Sequence, residues 1–116
     1  MLEVLIVEKE ISLAAKIITV VEELGHTAYE YSVAREVIDV WLLRGKFDLM
    51  IIDGNIDKHP NAMDVIEAFQ RLNPGKKVIF ISNDPGKLDL ARSEGCDTLQ
   101  RPFDMDALLQ LILKIT

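Results

Sequence analysis

The feature that most constrains the fold is the stretch Phe47-Asp48-Leu49-Met50-Ile51-Ile52-Asp53-Gly54-Asn55. In it four consecutive apolar residues run straight into a carboxylate, and a glycine follows. An unbroken Leu/Met/Ile run this short reads as a strand buried on both faces, the pattern of a central strand in a parallel sheet. Asp53 then stands at the strand's C-terminal end, the edge of an open α/β sheet where ligands bind. Taken alone, the same residues also read as a turn-forming Asp-Gly pair with no chemistry. What ends the other strands decides between the two.

Val4-Leu5-Ile6-Val7 is a second continuous apolar run, ending in Glu8-Lys9-Glu10. Ser12 is the expected N-cap of a helix with Leu13, Ile17, Val20, Val21 and Leu24 at helical spacing, stopped by Gly25. Ala28 to Tyr31 reads as a short strand. Ser32 opens a second helix carrying Val33, Val37, Val40 and Trp41, with Gly45 at its end. After Asp53 comes an irregular stretch to Asn61, which caps a third helix through Leu72 with Val65, Ala68, Phe69 and Leu72 turned inward. Asn73-Pro74-Gly75 is a turn. Val78 to Ile81 is a fourth strand, running into Ser82-Asn83, and Asp84-Pro85 opens a short helix closed by Gly95. A weak strand covers Asp97 to Gln100 and is broken by Arg101-Pro102-Phe103. Asp104 then caps a last helix with Met105, Leu108, Leu109, Ile112 and Ile115 as its apolar stripe.

Strands alternating with helices over short loops predict right-handed crossovers and a parallel sheet with helices on both faces. Five strands of this size favour the doubly wound, flavodoxin-like order 2-1-3-4-5. In that order the strands ending in Glu8 and Asp53 are neighbours, with Ser82 and Arg101 on the same rim, so one shallow pocket is expected to collect Glu8, Lys9, Asp53, Ser82 and Arg101. At 116 residues the chain makes one domain, 1–116, able to bury roughly two thirds of its unfolded surface. The net charge of −6 argues against docking on nucleic acid, which needs a cationic face. No apolar run is long enough to span a membrane, and no signal peptide precedes the first strand. The single cysteine, Cys96, excludes an internal disulfide and fits a reducing cytoplasm.

These pieces together resemble the receiver domain of bacterial two-component response regulators, over nearly all of the chain. Val4-Leu5-Ile6-Val7-Glu8 matches the first strand and its acid, and Leu49-Met50-Ile51-Ile52-Asp53 the phosphoacceptor strand. Val78-Ile79-Phe80-Ile81-Ser82 matches the strand carrying a hydroxyl, and Arg101-Pro102-Phe103 the family's Lys-Pro-Phe. The resemblance implies a CheY-like fold and a signalling role rather than an enzyme. It makes Asp53 the phosphoacceptor, Ser82 the hydroxyl and Arg101 the cation that hold phosphoryl oxygens, with Asn83 beside them in the pocket. It further implies Mg²⁺ held by Glu8, Asp53 and the backbone carbonyl of Asn55. Such an ion would neutralise the meeting of an aspartate with a phosphohistidine. The implied partner is a histidine kinase or phosphotransfer protein. A homodimer is implied through the face of the fourth helix, fifth strand and fifth helix, where Leu111 and Leu113 lie off the main stripe.

The chain departs from the family at this same rim. Lys9 stands where the family has a second acid, and puts a cation where Mg²⁺ needs an anion. The loop after Asp53 is longer than usual and lacks the usual glycine. Arg101 replaces lysine, and the exchange is not neutral at a tight site. Thr98 falls where an aromatic switch residue often sits. Two functions are therefore expected in competition: a phosphoacceptor at Asp53 with a weakened metal site, and a pseudo-receiver acting as a phosphorylation-independent interaction module. Lys9 is expected to reach Asp53 and repel Mg²⁺. A flavodoxin-like cofactor binder is disfavoured, because Glu8 to Ser12 has no glycine to cradle a phosphate. His26 and His59 have no partner at ligand spacing. Cys96 reads as an inert small residue, Trp41 as packing, and Glu22-Glu23 and Lys76-Lys77 as solvated surface.

Overall fold

The computed structural model describes residues 1–31, 46–58 and 60–116. The helix expected from Ser32 to Gly45, and the readings of Trp41 and His59, lie outside the described residues. The described elements run β1 (Glu3–Val7), α1 (Ile11–Glu23), β2 (Thr27–Tyr31), β3 (Leu49–Asp53), α2 (Ala62–Leu72), β4 (Lys77–Ser82), α3 (Pro85–Ser93), β5 (Asp97–Gln100) and α4 (Met105–Ile115). All neighbouring strands pair in parallel in the order β2-β1-β3-β4-β5, as the sequence predicts.

The continuous apolar runs are explained by the alternation of side chains across a pleated sheet. Leu5, Val7, Met50, Ile52, Val78 and Phe80 point to one face, where they pack with Val65, Ile66 and Phe69 of α2 and Leu88 of α3. Val4, Ile6, Leu49, Ile51, Ile79 and Ile81 point to the other, against Ile17 and Val21 of α1 and Leu108 and Ile112 of α4. Two cores thus share one sheet, and every residue of β3 is buried between them.

Local chemistry sets the helix starts, with one correction. Asn61 and Asp64 form a reciprocal capping box, each side chain accepting the other's backbone N–H at 2.9 Å. The Asp84 carboxylate accepts from Gly86 N–H, with Pro85 in the first turn, and Asp104 accepts from Ala107 N–H. The N-cap of α1 is Glu10, not Ser12. The Ser12 hydroxyl lies inside the helix and donates to Glu10 Oε1 at 3.1 Å, so it has no backbone N–H to cap. Gly25 and Gly95 end their helices at φ of 85° and 86°, a conformation costly for any residue with a Cβ. In α2 Ile66 is buried beside Val65 and Phe69, whereas Leu72 at the helix end, expected inward, is 41% exposed. The buried position there belongs to Asn73, whose Oδ1 accepts from Phe47 N–H at 2.8 Å.

Candidate functional site

The site lies where β1, β3 and β4 leave the core together. The register sets Val7 beside Ile52, so the next residues, Glu8 and Asp53, face each other at the rim. Both are 2% exposed, and Ser82, at the end of β4, is fully buried. Arg101 follows β5. Its backbone N–H donates to the Ser82 carbonyl at 2.9 Å, and a cis peptide bond joins it to Pro102. From this anchor the guanidinium passes the end of β4 and reaches both carboxylates.

One nitrogen makes both contacts. Arg101 Nη2 lies 2.8 Å from Glu8 Oε1 and 3.1 Å from Asp53 Oδ1. Nη1 stands 3.8 Å from Glu10 Oε2, and Nε–H is buried with no hydrogen-bond partner among the described residues. The backbone finishes the carboxylates: Glu10 N–H donates to Glu8 Oε2 at 3.0 Å, and Asn55 N–H to Asp53 Oδ1 at 2.9 Å. Burial pushes Glu8 up to about 7, and the neighbouring Asp53 adds to the rise. The Glu10 N–H and the Arg101 guanidinium pull the other way.

Asn55 is the hub that sequence reading assigned only a carbonyl role. Its N–H holds Asp53, its carbonyl accepts from Lys9 Nζ at 3.3 Å, and its Oδ1 accepts from the Ser82 hydroxyl at 3.4 Å. Ser82 Oγ in turn accepts from Asp84 N–H at 3.1 Å. The loop can pass this close to β4 because of Gly54, whose N–H donates to the Ile81 carbonyl at 2.6 Å. A Cβ there would run into the Phe80 ring and come within 2.9 Å of that carbonyl oxygen. On the far side of Gly54 lies a mostly apolar cavity of about 170 Å³, lined by Ile56, Met63, Phe80 and Leu90 among others.

Glu8, Asp53, Asn55, Ser82 and Arg101 are therefore brought together. Asn83 is exposed at the turn after β4. Lys9 is exposed and contacts the loop carbonyl rather than Asp53, which corrects the expected pairing. The physical reason is alternation: Glu8 turns inward, so its neighbour turns out, and the longer, anchored Arg101 takes the carboxylates. Glu10 was missed, although an acid two residues beyond Glu8 at a helix start marks the same rim. Among the described residues, no group of three or more His, Cys, Asp or Glu side chains is disposed to hold a metal ion.

No family model and no curated protein matches the sequence. Solved structures do match. The chemotaxis response regulator CheY4 of Vibrio cholerae superposes with a TM-score of 0.85 at 20% identity, over 100% of this chain and 99% of that one. The BeF3-activated DrrB receiver domain gives 0.86 at 14% identity, covering 99% and 97%. The receiver domain of the hybrid histidine kinase CckA gives 0.77 at 19% identity, covering 97% and 96%. The chain has the CheY-like receiver fold along its whole length.

Proposed function

We propose that the chain is a signalling receiver module that acts by binding a protein partner and does not depend on phosphoryl transfer to Asp53. The observation that supports this is the shared Arg101 nitrogen. The Asp53 side chain is 1% exposed, and its Oδ1 is already paired with a guanidinium at 3.1 Å and accepts a backbone N–H. A nucleophile so engaged must give up an ion pair and a backbone hydrogen bond before it attacks phosphorus.

The donor set also fits Mg²⁺ poorly. That ion demands near-octahedral oxygen ligands, and here one oxygen of each inward carboxylate and the loop carbonyl already face cationic side chains of the protein itself. Glu8 Oε1 and Asp53 Oδ1 face Arg101, and the Asn55 carbonyl faces Lys9. The role is regulatory rather than enzymatic. The partner class, drawn from the likeness to two-component receivers, is a histidine kinase or phosphotransfer protein of the cytoplasm. The competing reading, a weakened phosphoacceptor at Asp53, draws support from the nearness of Ser82 and a cation.

Intact-mass analysis after incubation with acetyl phosphate, with and without Mg²⁺, separates them. The expected result is no phosphoryl addition in either sample. A Mg²⁺-dependent addition that disappears in Asp53→Asn would establish the phosphoacceptor instead.

A further inference from the structure

We infer that Arg101 and Lys9 together act as a built-in replacement for a divalent cation, and that Arg101, not Lys9, is what keeps such an ion out. The inference rests on the receiver reading of the pocket but not on whether Asp53 is ever phosphorylated.

The two cations engage one oxygen of each inward carboxylate and the loop carbonyl between them. Arg101 Nη2 sits 2.8 Å and 3.1 Å from one oxygen of each inward carboxylate, so a metal bridging those two oxygens would need the space that nitrogen fills. Lys9 Nζ is 3.3 Å from the Asn55 carbonyl, the backbone donor of the set. The two are not equally replaceable. The Arg101 side chain is 17% exposed, its backbone is bonded to Ser82, and Nη1 has Glu10 as a further partner. Lys9 is exposed, with a single long contact on a flexible four-carbon stem. A solvated ammonium swings away at little cost, whereas a guanidinium anchored between buried carboxylates does not. Restoring an acid at position 9 therefore adds a ligand without clearing the site.

The test is calorimetric titration with Mg²⁺ and Mn²⁺ alone, with no phosphodonor, on the native chain, Lys9→Asp, Arg101→Gln and the double variant. Thermal melts run alongside with and without metal. The native chain and Lys9→Asp are expected to show no binding at millimolar metal. The double variant is expected to bind at least about tenfold more tightly and to melt higher when metal is added, by simple linkage. Should Arg101→Gln prevent folding, Arg101→Lys with Lys9→Asp replaces it, since a lysine keeps the charge and leaves one of the two carboxylates uncovered. Binding by Lys9→Asp as tight as by the double variant would overturn the inference, because Lys9 would then be the barrier. So would a folded double variant that takes no metal, or a native chain that binds Mg²⁺ below millimolar. Phosphoryl uptake by the native chain would overturn the proposed function without touching this result.

Discussion

Glu8 shares a single guanidinium with Asp53, and its burial favours the protonated form. Its folded value of about 7 lies above the ordinary 4.5, so the native state binds the proton more tightly than the unfolded state. The contribution is fully present below about 4.5 and is lost as pH rises through about 7. Other carboxylates titrate nearby, so the measurement is a difference: urea unfolding of the native chain against Glu8→Gln at several pH values. The advantage of the native chain is expected to shrink between these pH limits, by up to about 1.4 kcal/mol per pH unit. An advantage that grows with pH would mean that Arg101 outweighs burial and holds Glu8 ionised. Glu8, Asp53, Ser82 and Arg101 were legible in the sequence because each ends a strand, and strand ends follow from apolar runs. The three contacts of Asn55 and the outward course of Lys9 were not. They depend on how the chain turns after Gly54, and no periodicity records that path.

At the scale of elements, the caps at Asn61, Asp84 and Asp104 were legible from side chains that bond nearby backbone N–H groups. Ser12 misled because Glu10 drew its hydroxyl instead. The last helix bears on association. Leu108 and Ile112 are fully buried, and Leu111 packs partly against the same core, which leaves Leu113, 53% exposed, as the large apolar residue standing out from this helix. A stable interface buries at least about 1,200 Å² in total, far more than one leucine offers. Light scattering at micromolar concentration is therefore expected to give the monomer mass. A dimer that Leu113→Glu disperses would restore the interface on the last helix.

For the molecule as a whole, alternating strands and helices made the parallel order readable, because few topologies satisfy short, right-handed connections. What the sequence could not record was which cation would close the rim, since that depends on reach across the sheet. Arg101 meets Glu8 over a separation of 93 residues, from one end of the described chain almost to the other. Such a contact forms only after β1, β3, β4 and β5 are already in register, so it comes late in assembly. A late contact leaves its mark on escape from the native state, not on arrival there. Removing one partner of a buried ion pair costs about 3 kcal/mol or more, so Arg101→Gln is expected to unfold roughly a hundredfold faster while its refolding rate hardly changes. Stopped-flow chevrons read both limbs, and a slowed folding limb would instead put the clasp in the nucleus. With unfolding as the limb that moves, the residue that closes the pocket is, in kinetic terms, the bolt that sets how long the folded chain survives.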